Sequence, residues 1–281
     1  MNEEHEQKIQ RILVALDSSP ASLAALEAAA ELAASFGAEL IGLFVEDINL
    51  LRLSNLSFTY EVGLFSTTRR QLDAQSLERQ LRLQANRARQ ALALISERAQ
   101  VNWSFRVTRG VIAVELLAAA LEADLVSLGR IGWSPLGRRR LGSTAQTILF
   151  QAPRLTLVLQ PGHHLGLPLL VFYDGSASAQ KALAAAARLG QHRAGQLTVV
   201  VLAAEAAAAE RLQAEAEAHL QSQGLAARYL WQFGPDVRKL VALTQTEGYR
   251  MLVLPSDGSL LNQEAILALL QGTECPVLVV R

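Results

Sequence analysis

The sequence predicts an α/β protein built from two tandem doubly wound parallel-sheet repeats. Three observations carry this. An apolar run ending in Asp occurs twice, as Ile12-Leu-Val-Ala-Leu-Asp17-Ser-Ser and Leu169-Leu-Val-Phe-Tyr-Asp174-Gly-Ser, each followed by an Ala-rich helical stretch. A proline-led apolar run closes each half, Pro153-Arg-Leu-Thr-Leu-Val-Leu159 and Pro276-Val-Leu-Val-Val280. The short runs between are apolar throughout rather than alternating, the pattern of parallel strands buried on both faces.

The elements follow in order. In the first repeat, strands are expected near 12–16, 39–45, 103–108, 125–128 and 155–159, and helices near 21–36, 73–99, 111–122 and 143–151. In the second, strands fall near 169–173, 196–202, 227–232, 251–254 and 277–280. Alternation of the two kinds of segment argues for an open doubly wound fold. The breaker-rich stretch Pro161-Gly-His-His-Leu-Gly-Leu-Pro168 reads as the linker, with repeats over 1–162 and 163–281. The Asp17-to-Asp174 offset is 157 and the Pro153-to-Pro276 offset is 123, so the first repeat is 34 residues longer. Most of that excess fits between 46 and 80.

The segment 47–70 has no clean period but carries apolar residues that read as exposed: Leu50, Leu51, Leu53, Leu56, Phe58, Tyr60, Leu64 and Phe65. It reads as a long loop or short helix over the sheet edge, or as a lid or partner surface. The helix after it keeps Leu77, Leu81, Ala85, Ala88, Leu92 and Ile95 on one face. Its arginines (Arg79, Arg82, Arg87, Arg89) read as a solvated face.

Composition narrows the function. Lys plus Arg (26) equals Asp plus Glu (26), which gives no global attraction to nucleic acid or an anionic membrane. Apolar stretches are broken by charge before the roughly 18 residues a membrane helix needs. The acidic start Met-Asn-Glu-Glu-His-Glu lacks the apolar core of a signal peptide. A soluble cytoplasmic protein is expected. The single cysteine, Cys275, precludes an intramolecular disulfide and reads as buried and inert. His163-His164 lacks further ligands for a metal. Nucleophile-elbow and Walker-type motifs are absent, and no acid–base pair presents itself.

The informative stretch is Gly129-Arg-Ile-Gly132-Trp-Ser-Pro-Leu-Gly-Arg-Arg-Arg-Leu-Gly142-Ser143-Thr144. It follows the strand Leu125-Val-Ser-Leu128 and opens a helix. Glycine lets the backbone turn and approach a ligand, and a helix N-terminus offers free N–H groups to an anion. The plainer reading is turn glycines with Ser143 as a helix cap. Arg138, Arg139 and Arg140 either neutralise phosphate or face solvent. Trp133 either covers a ligand or packs on the long loop.

The spacing G-x2-G-x9-G-[ST] resembles the phosphate loop of the universal stress protein family. Val14-Ala-Leu-Asp17-Ser-Ser and Leu43-Phe-Val45-Glu-Asp resemble the family's first two strand ends, and Pro153 with its apolar run the last strand. The resemblance covers 12–160 well and 168–281 more loosely. It implies the universal-stress, adenine nucleotide alpha hydrolase-like fold and an ATP, ADP or AMP site, with Mg2+ carried with the nucleotide. By position, Asp17 would lie beside the adenosine and Val45 would meet the adenine edge. Leu128, Gly129, Ile131 and Gly132 would line the ribose and phosphate path, and Gly142, Ser143 and Thr144 would hold phosphates. Asp17 also reads as a turn residue capping the first helix, and the two roles are compatible.

The second repeat departs from the pattern. Pro255 stands where Gly129 stands, Gly258 matches Gly132, no Gly-Ser follows, and Asp257 and Glu264 would repel phosphate. The resemblance implies a stress-response sensor or regulator with one nucleotide site. The alternatives are a slow ATPase or adenylate-transferring enzyme, and a scaffold docking an unknown protein through 46–70. Single-repeat relatives are implied to dimerise through their final strands. Runs 155–159 and 277–280 are therefore expected to pair antiparallel within one chain as a pseudo-dimer, with a homodimer as a further option.

Overall fold

The computed structural model describes residues 9–54, 60–62, 69–71, 74–130, 141–190, 196–234, 236–246, 248–258 and 261–281. The expectations for Ile131, Gly132, Trp133 and Arg138–Arg140, and for parts of 46–70, fall outside these residues. The chain forms two compact units, 1–148 and 149–281.

The first unit runs β1 (Arg11–Ala15), α1 (Pro20–Phe36), β2 (Glu39–Asp47), α2 (Ile48–Ser54), β3 (Tyr60–Val62), β4 (Arg69–Gln71), α3 (Ala74–Ala99), β5 (Trp103–Gly110), α4 (Ile112–Ala120) and β6 (Leu125–Gly129). Helix α5 (Ser143–Gln151) starts in this unit. Its sheet has the order β6-β1-β2-β5, all parallel, and β3 pairs antiparallel with β4 as a separate ribbon. Ile12, Leu13 and Val14 are fully buried, as an apolar run in a central parallel strand requires.

Helix α1 is rich in alanine because it packs close to the sheet. Ala25, Ala29 and Ala33 are fully buried, and the Ser127 hydroxyl of β6 donates to the Ala25 carbonyl at 2.9 Å. Helix α3 buries Leu77, Leu81, Ala85, Ala88, Leu92 and Ser96. The last position corrects the sequence reading. Ser96 is buried and Ile95 only half-buried, because the continuing three-four spacing carries the stripe from Leu92 to Ser96. The unperiodic segment contains α2, which packs on α3 and β5, and the short ribbon. Leu51, expected to be exposed, is buried because α2 turns it inward, while Leu50 and Leu53 stay exposed.

The second unit holds β7 (Leu155–Leu159), β8 (Leu169–Tyr173), α6 (Ala177–Gly190), β9 (Leu197–Ala203), α7 (Ala206–Ser222), β10 (Arg228–Phe233), α8 (Val237–Thr246), β11 (Met251–Pro255), α9 (Gln263–Gly272) and β12 (Val277–Val280). Its strand order is β10-β9-β8-β11-β12-β7. All neighbours are parallel except β12 and β7, which pair antiparallel with Val277 opposite Val158 and Val279 opposite Thr156. The two final strands thus lie side by side, as their unprotected apolar edges predict. This pairing places β7 among the contacts of the second unit, although by internal similarity it ends the first repeat.

The two units share one winding. In each, the first strand has the second and third on one side and the fourth on the other, with β8, β9, β10 and β11 standing for β1, β2, β5 and β6. Cys275 is half-buried rather than buried, with its sulfur 3.1 Å from the Thr273 hydroxyl, since it precedes the strand instead of lying in it.

Candidate functional site

Doubly wound sheets bind ligands beyond the carboxyl ends of the strands, where the strand order reverses. In the first unit that point lies between β1 and β6. The chain leaves β1 through Leu16–Ser19 into α1. The Asp17 Oδ1 accepts the Ser19 N–H at 2.9 Å, and the Ser22 N–H donates to the Ser19 Oγ at 3.1 Å. Ser19 is therefore the helix cap, with Pro20 at the first helical position, and Asp17 is the turn residue before it. Ser18 adopts a left-handed backbone (φ 61°), and its hydroxyl donates to the Gln84 carbonyl of α3 at 2.9 Å. A non-glycine residue in that region is uncommon, and here the tie to α3 holds it.

The two described glycines of the motif serve different ends. A Cβ on Gly129 would stand 2.7 Å from the carbonyl carbon of Ala21, so this glycine lets α1 begin directly against the end of β6. A Cβ on Gly142 would meet only the Arg130 carbonyl oxygen, at 3.7 Å. Packing does not require glycine there, which leaves room for a ligand to approach the backbone. The Gly142 N–H donates to the Arg130 carbonyl at 3.0 Å, pinning together the two ends of the intervening segment. The Gln146 N–H then donates to the Gly142 carbonyl at 2.9 Å and opens α5. The first turn of α5 carries no acidic residue. The amides of Ser143, Thr144 and Ala145 belong to the helix end that lacks intrahelical acceptors.

These parts surround one cleft of about 1030 Å³. Its lining includes seven of the nine residues singled out in the sequence: Asp17, Val45, Leu128, Gly129, Gly142, Ser143 and Thr144. Ile131 and Gly132 lie outside the described residues. Leu16, Leu43, Phe44, Leu81, Ile112 and Leu116 give the cleft apolar walls. The sequence reading missed Gln80, Gln84 and Arg87 from α3, and Arg130 next to Gly129. Arg87 is exposed, as expected of the arginine face, yet it also lines the cleft. Arg130 is only 3% exposed. Its place inside the glycine motif was the available signal.

The carboxyl ends of β2 and β5 are tied to α3 at the rim. Arg109 bonds Glu46 through Nε and Nη2, both at 2.8 Å, and its Nη1 lies 3.5 Å from Glu78 of α3. Hydrogen bonding to Glu46 is the main cause that raises the Arg109 pKa above its ordinary value.

The corresponding place in the second unit is built differently. Pro255 ends β11 and has no N–H to offer. A Cβ on Gly258 would stand 2.6 Å from the Asp174 Oδ2, so this glycine lies against a carboxylate. Helix α9 starts after Asn262, whose Oδ1 accepts the Ala265 N–H at 2.9 Å. Gly142 has no side chain to make such a bond at the start of α5, and Glu264 adds negative charge to the first turn of α9. Among the described residues no group of three or more His, Cys, Asp or Glu is placed to hold a metal, and no helix is long and apolar enough to cross a membrane.

A doubly wound α/β domain in which the end of β6 and the start of α5 meet at the switch point defines the class of the first unit. The universal stress protein family profile matches residues 8–160, more than half of the chain, and the chain belongs to that family. A universal stress protein from Archaeoglobus fulgidus DSM 4304 superposes with a TM-score of 0.74 at 17% identity, covering 96% of this chain and 97% of its own. The functionally unknown protein PA1789 from Pseudomonas aeruginosa PAO1 gives a TM-score of 0.62 at 14% identity, covering 96% of this chain and 92% of its own. At these identities the likeness is one of fold. A universal stress protein in complex with cAMP aligns with 55% of this chain and 99% of its own, at 21% identity and a TM-score of 0.39. A comparison with curated proteins finds no match.

Proposed function

We propose that the first unit binds one adenine nucleotide, ATP or its di- or monophosphate, and that the protein acts as a nucleotide-responsive regulator of stress adaptation in the cytoplasm. The observation that carries this reading is the convergence of Asp17, Val45, Leu128, Gly129 and Gly142–Thr144 on a single cleft at the switch point. The phosphates lie on the amides at the start of α5, with the hydroxyls of Ser143 and Thr144 as added donors. The adenosine extends over the ends of β1 and β2, where apolar walls receive the base, Val45 meets the adenine edge and Asp17 stands beside the ribose. Mg2+ accompanies the phosphates. The second unit serves architecture, since its counterpart of the loop offers a proline, a capped helix and two carboxylates. Calorimetric titration of the purified protein with ATP, AMP and cAMP tests the reading. Saturable binding of at least one of them supports it, and the absence of binding for all three refutes it.

A further inference from the structure

We infer that Leu50 closes over the nucleoside end of the bound ligand, so that α2 forms the outer wall of the base pocket. The inference rests on the nucleotide reading above and adds a contact that the glycine motif does not specify. Four observations support it. Leu50 lines the cleft and is 44% exposed, whereas Leu16, Leu43, Phe44, Leu81 and Leu116 of the same lining are buried. Helix α2 is held in place at both ends. The Asp47 Oδ1 accepts the Asn49 N–H at 2.9 Å directly after β2, and Leu51 and Ser54 are buried where the helix packs on α3 and β5. Successive helical residues are turned by about 100°, which sets Leu50 at the margin of that buried face and Leu53 farther round. Leu53 is as exposed, at 47%, yet does not line the cleft. Finally, α2 has no counterpart in the second unit, where β9 ends at Ala203 and α7 begins at Ala206.

The physical consequence is a hydrophobic gain realised only on binding. Apolar walls that are already packed have little water to release when a ligand arrives. An exposed leucine has more, and the gain follows the apolar area removed from water. The α3 side of the cleft offers mostly polar groups, Gln80, Gln84 and Arg87, so α2 supplies the apolar cover there. Position along the sheet fits the nucleoside end. Leu50 follows Val45 by five residues, beyond the end of β2. The start of α5 is pinned to the end of β6, and β1 stands between β6 and β2. Two strand spacings, about 10 Å, therefore separate the two ends of the cleft. A contact at the β2 end acts on a nucleotide and on its nucleoside alike and adds nothing for the phosphates.

The test is calorimetric titration of the wild type, Leu50→Ala, Leu50→Met and Leu53→Ala with ATP and with adenosine, and a thermal melt of each protein. The expected result is a parallel loss of about fivefold in affinity for both ligands in Leu50→Ala, with the melting temperature unchanged. Leu50→Met keeps the apolar volume and should bind both as the wild type does. Leu53→Ala should also bind as the wild type does. If Leu50→Ala does not fold, Leu50→Gln carries the test, since it keeps the length and loses the apolar surface; the same parallel loss supports the inference. Wild-type affinity in the folded Leu50 variants overturns it while leaving the nucleotide reading intact. A loss for ATP alone overturns it as well, since it would put Leu50 at the phosphate end. An equal loss in Leu53→Ala does the same, since it would mark a general effect of α2. A wild type that takes up neither ligand refutes the nucleotide reading itself, and this inference with it.

Discussion

Replacing Gly142 by aspartate separates binding from folding at one position. The backbone there is not left-handed, and a Cβ would meet its nearest neighbour at 3.7 Å, an ordinary contact. The fold therefore accepts the side chain. Aspartate just before the first helical residue also accepts an amide hydrogen bond from α5, which stabilises a helix by about 1 kcal/mol. Asn262 does the same for α9. The effect on a nucleotide has the opposite sign. A carboxylate and a phosphate about 4 Å apart repel by about 4 kcal/mol at an effective dielectric of 20. Solvent at this half-buried position reduces that, and a loss of roughly a hundredfold in ATP affinity is expected. The assay is calorimetric titration alongside a thermal melt. A melting temperature equal to or above that of the wild type, with ATP binding reduced by this amount, is the predicted pair of results. A folded variant that binds ATP as the wild type does would move the phosphate site away from α5.

Two further substitutions test the packing that positions the site. Leu92 is fully buried on α3, with its side chain over Gly42 of β2, so Leu92→Ala should destabilise the protein by about 2–5 kcal/mol in denaturant titration. A loss below about 1 kcal/mol would mean that α3 is not anchored on the sheet as described. Val158 lies opposite Val277 in the antiparallel pair of β7 and β12. Val158→Pro removes a backbone donor and should lower stability by about 1–3 kcal/mol, and an unchanged unfolding midpoint would contradict the pairing.

The course of the sheet was legible because central parallel strands are buried on both faces and leave unbroken apolar runs, as in Leu197–Ala203 and Leu169–Tyr173. The cleft was legible in part, since Asp17, Val45, Gly129 and Gly142 sit at strand ends or at a helix start, and those positions can be counted along the chain. What escaped depends on distances between elements. The need for glycine at 129 comes from the backbone of Ala21, more than a hundred residues earlier in the sequence. The helix cap fell on Ser19 rather than Asp17, because the turn places the serine hydroxyl, and not the carboxylate, at the Ser22 amide. The arginines of α3 all read as one solvated face, yet the side of the helix that carries Gln80, Gln84 and Arg87 borders the cleft. Burial of Arg130 has no signature in a local window, where an arginine beside glycine reads as a surface turn.

The central claim is a single nucleotide cleft, in the first unit, whereas the matching place in the second carries Pro255, Asn262 capping α9 and the Asp174 carboxylate against Gly258. The most direct measurement is the stoichiometry of ATP binding to the intact chain by calorimetry, with protein concentration fixed by amino-acid analysis. The account predicts one ATP per chain. A value near two would show that the second unit binds despite its proline and its capped helix, and a value of zero would remove the nucleotide from the account altogether.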